Sequence, residues 1–343
     1  MSTTSSIPLP LLITGVAGVA GYNAFHHFHA RFPGQVIGIR RADNWRLQGD
    51  GLVGCDMHWW QDSSAASQNR QSLPALFDRY EFRSVLNCEG TCALRACELD
   101  PLMAWRVNVL GLENLIETVQ QRAESVRLVH LSIDLVFSGT LDGDHVETDP
   151  PDPVTVYGKT MEQTENLVLS SDPTACVLRI SLPMGVSFNG HAGAIDWIQA
   201  RFQKGKPATL YFDEVRTPTY TDCMNKVFDD LLRNRLSGLF HCGGPRKLSL
   251  YQIAQIVNRV GGYRAEHLHG CHRIEAGPMP PRAGDVTMDS RKLQDGLGYA
   301  PFDPWPIDEE FVPTDPEWHY RRDTFDGSPE LLAEQLYRNP KAN

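Results

Sequence analysis

The 343-residue sequence has no apolar run approaching the ~20 residues that a membrane-spanning helix requires, which argues against an integral helical membrane protein. It also lacks a cationic surplus. Against 32 Lys and Arg stand 42 Asp and Glu, a formal net charge of -10, so no broad nucleic-acid or anionic-membrane surface is expected and any basic group must act locally. The opening segment up to Gly15 carries no basic stretch, and Pro8 and Pro10 interrupt its apolar part; neither a secretory nor a transit signal fits, and the cytoplasm is the expected compartment. Paired CxxC and HExxH arrangements are missing as well. Eight dispersed cysteines (Cys55, Cys88, Cys92, Cys97, Cys176, Cys223, Cys242 and Cys271) read as reduced thiols. The clusters Cys88/Cys92/Cys97, His267/His269/Cys271/His272 and His26/His27/His29 lack the fixed spacing of zinc ligands, so no metal site is expected. No internal repeat interrupts the chain.

The sequence does show short apolar segments alternating with helical ones. Leu11 to Thr14 is a strand-length apolar run followed by a glycine-rich turn and a helical stretch toward Arg31. Pro33-Gly34 ends that helix, and Gln35 to Ile39 reads as a second buried strand. Leu52 to Asp56, Ser84 to Cys88, Val126 to Ser132 and Ala175 to Ile180 continue the series, with helical stretches at Pro101 to Arg122 and Tyr157 to Leu169. This alternation predicts an α/β fold, a Rossmann-type doubly wound parallel sheet with a smaller C-terminal substrate-binding lobe. The expected divisions are a dinucleotide-binding domain over 1–180, to which later segments return, a lobe over 181–300, and a Pro-rich acidic extension over 301–343 that packs over the surface.

Gly15, Gly18 and Gly21 form a GxxGxxG pattern that follows a strand and opens a helix, the context that gives such a pattern meaning. Glycine lets the backbone turn tightly and approach a diphosphate, whose charge the helix N-terminus stabilises, so Gly15, Gly18, Val19, Ala20 and Gly21 are expected at a dinucleotide. The acid that would bind the ribose hydroxyls of NAD about 20 residues later is missing, and Arg40-Arg41 stands there instead. A guanidinium suits a 2′-phosphate, so NADP(H) is expected over NAD(H), with Asp43 weighing the other way.

These segments resemble the extended short-chain dehydrogenase/reductase superfamily, most closely the dTDP-4-dehydrorhamnose reductase family, from about Leu11 to Ala300. The resemblance is carried by Gly15 to Gly21, Val85 to Cys88, Leu131 to Gly139, Pro153 to Glu165 around Val156-Tyr157-Gly158-Lys159-Thr160, Arg216 to Tyr220, Gly238 to His241 and Pro281 to Val286. It implies that Asp56 and Met57 lie near the adenine, that Asn87 and the loop after it flank the nicotinamide ribose, and that Asn108 supports the site. It further implies a nucleotide-sugar substrate with Arg282 near its diphosphate, a role suited to a bidentate guanidinium.

The sequence departs from this family at two catalytic positions. The family uses a Thr or Ser with a Tyr-x-x-x-Lys pair. Tyr157 is present, but Met161 stands where the Lys belongs and Ile133 where the Thr belongs. A thioether neither lowers a phenol's pKa from its usual ~10 nor holds a ribose, whereas a protonated phenol can still donate a proton in ketone reduction. Lys159 is about 200° around the helix from Tyr157 and should point away. Ser132 should face the opposite side of its strand from Ile133. Asp134 or Glu147 could act as a substitute acid or base, and Ser132 as a substitute hydroxyl given a local distortion. Three functions follow: an NADP(H)-dependent 4-keto nucleotide-sugar reductase with Tyr157 as proton donor, a nucleotide-sugar epimerase or dehydratase, or a catalytically degenerate NAD(P)-binding regulatory subunit. A homodimer is left open.

Overall fold

The computed structural model describes residues 6–58, 72–190, 193–277, 280–322 and 325–338. Its first half alternates strands with helices: β1 (Leu11–Ile13), β2 (Val36–Arg40), β3 (Leu52–Gly54), β4 (Ser84–Asn87), β5 (Arg127–Ile133) and β6 (Cys176–Ile180), interleaved with α1 (Val19–Arg31), α2 (Leu73–Tyr80), α3 (Leu94–Leu99), α4 (Pro101–Trp105), α5 (Gly111–Gln120) and α6 (Val156–Ser171). The second half contains β7 (Pro183–Met184), α7 (Ala194–Gln203), β8 (Ala208–Tyr211), β9 (Val215–Arg216), β10 (Thr219–Tyr220), α8 (Thr221–Arg233), β11 (Gly238–Cys242), β12 (Leu248–Ser249), α9 (Leu250–Val260), β13 (Leu268–Cys271), α10 (Arg291–Leu297) and α11 (Pro329–Leu332).

Seven strands form one sheet in the order β11-β6-β5-β4-β1-β2-β3, and every neighbouring pair is parallel. A sheet of this kind is covered on both faces, which explains the apolar runs. Leu11 and Ile13 enter a core shared with Phe25 and Phe28 of α1 and Phe228 of α8, while Leu12 between them enters a second core with Leu76 and Leu115. Strand order reverses between β1 and β4. Their C-terminal ends therefore bound the crevice where doubly wound sheets take their ligands.

The lobe is interleaved with this sheet. β11 pairs with β6, and α8 buries Val227, Phe228, Leu231 and Leu232 in the core beside the sheet. The remaining strands form three two-stranded sheets, β10 with β7, β12 with β9 and β13 with β8. The extension is packed down: Trp305 is fully buried and its indole N–H donates to the Leu336 carbonyl at 3.0 Å, while Arg259 stacks on Trp318 at 4.2 Å. The helical stretch expected over Pro101 to Arg122 runs without interruption from Pro101 to Gln120, widened to a π turn at Arg106–Leu110. The wider turn sits beside Asn108, whose side chain is used in the site.

Candidate active site

The turn after β1 is shaped by close approach. Gly15 has φ +64°, and a Cβ there would lie 2.2 Å from the Cys88 carbonyl oxygen on the loop leaving β4; a Cβ on Gly21 would lie 2.4 Å from the Gly15 carbonyl oxygen. Only glycine permits both contacts. α1 begins at Gly18 with no side-chain cap and no acid in its first turn, so its first N–H groups, at Val19, Ala20 and Gly21, remain to satisfy an anion. The segment after β7 closes over this end, where Asn23 donates to the Val186 carbonyl at 2.8 Å and to the Val19 carbonyl at 2.7 Å. These features fit a dinucleotide diphosphate.

Beyond β2, Arg40 donates to the carbonyls of Arg41 and Ala42, and the exposed Arg41 pairs with Asp43 at 2.9 Å. Asp56 accepts from the Ala42 N–H at 3.0 Å, which joins the ends of β2 and β3. The buried Met57 offers its carbonyl to Asn114. Asn87 is buried, and its side chain is occupied: Oδ1 accepts from Thr14 at 2.5 Å, and Nδ2 donates to His130 Nδ1 at 2.8 Å. His130 in turn meets Thr164 of α6 through Nε2 at 3.1 Å. The Asn87 side chain thus forms part of a brace across β1, β4, β5 and α6. Asn108 does support the neighbouring loop, accepting from the Thr91 N–H and donating to Thr160, both at 2.8 Å.

Tyr157 lies in the first turn of α6, which Thr155 caps through the Gly158 N–H at 2.9 Å. It is buried, and burial holds its hydroxyl well above the ordinary phenol range; Cys92, Asp134 and Cys97 push the same way and Arg216 opposes. Met161 is buried one turn on, its sulfur beside Gly90 of the loop leaving β4, and Ile133 ends β5 in the same core. Lys159 is exposed on the opposite side of the helix. No ammonium therefore accompanies the phenol from the helix face where one was sought.

Two expected substitutes are already committed elsewhere. Ser132 donates to Glu165 at 2.5 Å, within a buried pair whose Arg179 donates to both Glu165 oxygens at 2.8 and 2.6 Å. Asp134 is fully buried, accepts from Ser181 at 2.6 Å and is gripped by two guanidinium nitrogens of Arg216. Burial pushes the Asp134 carboxyl up, with Arg216 opposing. Glu147 accepts from the His241 backbone N–H at 2.8 Å, away from Tyr157.

A line of alternating charge continues from Asp134. Arg216 lies 3.8 Å from the buried Glu214, and Glu214 lies 3.8 Å from Arg282, whose guanidinium covers the Tyr211 ring at 5.0 Å. Arg216 and Glu214 were not singled out as site residues, although Arg216 opens a segment that carries the resemblance. Glu214 and Arg216 flank Val215 at the start of β9, a spacing visible in the sequence, but the Asp134 partner is 82 residues away.

A seven-stranded parallel sheet with a glycine turn at its switch point and a tyrosine opening the helix after β5 defines an extended short-chain dehydrogenase/reductase. More narrowly, the chain belongs to the RmlD substrate binding domain family, which it matches over residues 10–306. It is 29% identical over 225 residues to a probable low-salt glycan biosynthesis reductase of Haloferax volcanii, covering 65% of this chain and 74% of that protein. To a dTDP-4-dehydrorhamnose reductase of Aggregatibacter actinomycetemcomitans it is 24% identical over 247 residues, 68% and 82% of the two chains. To the methionine adenosyltransferase 2 subunit beta of Xenopus laevis it is 24% identical over 294 residues, 84% and 82%. Two solved structures share the fold. A dTDP-4-dehydrorhamnose reductase of Bacillus anthracis in complex with NADP has TM-score 0.70 and 17% identity over 86% of this chain and 95% of that one. The UDP-glucose 4-epimerase of Thermus thermophilus with NAD has TM-score 0.70 and 21% identity over 85% and 93%.

Proposed function

We propose that the chain is an NADP(H)-dependent reductase of a nucleotide-linked 4-keto sugar, with Tyr157 as the proton donor. The observation that carries this reading is the buried, protonated phenol of Tyr157 in the first turn of α6, within the influence of Asp134 just past the end of β5. Gly15, Gly18, Val19, Ala20 and Gly21 would hold the cofactor diphosphate, Arg40 and Arg41 its 2′-phosphate, and Asp56 and Met57 the adenine end. Arg282 would meet the sugar-nucleotide diphosphate. A bound NADPH supplies the hydride. Tyr157 gives its proton to the carbonyl oxygen, and the absence of an ammonium beside it favours this direction, because alcohol oxidation would need the phenolate that Met161 cannot stabilise. Asp134 and Ser132 would position the neighbouring elements, and neither would move protons.

Steady-state NADPH oxidation with a dTDP-linked 4-keto sugar tests the reading. Tyr157→Phe should lower turnover by about 100-fold or more, within the range of general acid catalysis, and leave NADPH affinity unchanged. Undiminished turnover in the variant would contradict it. A second reading, a regulatory subunit on the same scaffold, draws support from Met161 and Ile133 and from the long alignment to a chain named as a subunit of methionine adenosyltransferase. It predicts NADPH binding without turnover.

A further inference from the structure

The crevice holds a carboxyl that the reductase reading leaves without a task. Glu89 leaves β4 two residues after Asn87, half-buried, with its N–H 3.4 Å from Asn87 Oδ1. It presses so tightly on the glycine turn that a Cβ on Gly15 would lie 2.7 Å from its nitrogen. By its place after β4, Glu89 stands on the far side of β1 from the end of β2, and its carboxyl feels the charges of Arg41 after β2 and Asp56 after β3.

A dinucleotide site that reads NAD uses a carboxylate to accept the ribose hydroxyls, ordinarily from the end of the second strand. Here that strand ends in arginines, one of them shared with Asp43. The fourth strand brings a carboxyl into the same crevice from the other side. We propose that Glu89 is a specificity-determining residue of the dinucleotide crevice. Ionised, it accepts from the ribose 2′-hydroxyl of NAD(H) and repels the 2′-phosphate of NADP(H); protonated, it lets that phosphate approach Arg40 and Arg41. This rests on the dinucleotide reading above. Burial, reinforced by Asp56 and opposed by Arg41 and the Gly15 N–H, pushes the carboxyl up to about 7, so the choice turns over near neutral pH.

The test is fluorescence titration of the full chain with NADPH and with NADH, about one pH unit below and above 7, for the wild type, Glu89→Gln and Glu89→Asp. As pH rises, wild-type affinity for NADPH relative to NADH should fall by about fivefold to tenfold, the effect of somewhat under one pKa unit of coupling. Glu89→Gln should remove that fall and shift the ratio toward NADPH by about tenfold at the higher pH, whereas Glu89→Asp should retain the pH dependence. Titration of the 2′-phosphate itself is common to all three proteins and cancels in the comparison. If Glu89→Gln keeps the wild-type ratio and slope, the proposal is overturned while the dinucleotide reading stands. If neither nucleotide binds the wild type or Glu89→Gln, that reading falls too, whereas binding only to Glu89→Gln would support the carboxylate as the barrier.

Discussion

At the residue scale, Met161 and Ile133 stand where the family resemblance implies a Lys and a Thr. Both are buried apolar side chains in the core that also holds Tyr157, where the resemblance implies an ammonium and a hydroxyl. Met161→Lys combined with Ile133→Thr should raise the turnover of a 4-keto nucleotide sugar by at least tenfold, through a lower phenol pKa and a second hydrogen bond to the carbonyl. Steady-state kinetics would show it, and an unchanged rate would place the limiting step elsewhere. Tyr157, Met161 and Ile133 could be located from local motifs, since each stands at a fixed offset within a contiguous segment. The occupation of Ser132 by Glu165 and of Asp134 by Arg216 could not be read that way. Those partners are 33 and 82 residues distant, and only the packing of α6 and β9 against the end of β5 brings them together.

At the element scale, β5 ends in a buried ion pair with β9, which joins the sheet to the lobe. Arg216→Met would leave the fully buried Asp134 carboxylate without its partner, and breaking such a pair from one side costs about 3–5 kcal/mol. Denaturant unfolding would measure this, and the double variant Arg216→Met with Asp134→Asn should recover part of the loss. Five of the seven strands of the central sheet were legible to within one residue, because burial on both faces demands unbroken apolar runs such as Leu11-Leu12-Ile13, whereas β3 stops two residues before Asp56 and β11 was not among the expected strands. The π turn between α4 and α5 was not legible, since the sequence from Pro101 to Leu110 contains neither an internal proline nor a glycine, and the turn coincides with the hydrogen bonds of Asn108.

At the scale of the whole molecule, two interior histidines couple folding to pH. His130 accepts from Asn87 and donates to Thr164; His241 donates from Nδ1 to the His145 carbonyl at 3.0 Å and accepts from Arg179 at 3.2 Å. Burial pushes both down to about 3, with Arg179 adding to the effect at His241. Both are neutral when folded, whereas the unfolded chain takes up their protons below about 6.5. Stability should therefore fall as pH drops from 6.5 toward 3, by up to about 1.4 kcal/mol per pH unit for each histidine. Thermal melts between about pH 7 and 5 should show a steeper decline for the wild type than for His241→Asn, which keeps the donor to His145 without the titration; equal slopes would contradict the assignment. The same whole-molecule view ties the net charge of -10 to its few local exceptions, because Arg40, Arg41 and Arg282 stand where small phosphates are expected. A crystal structure with NADPH bound tests the central claim most directly. The diphosphate should lie on the Gly15 to Gly21 turn, and Tyr157 should be the one side-chain acid within hydrogen-bond reach of a ketone placed over the nicotinamide. A dinucleotide bound elsewhere, or a different acid in that place, would contradict the account.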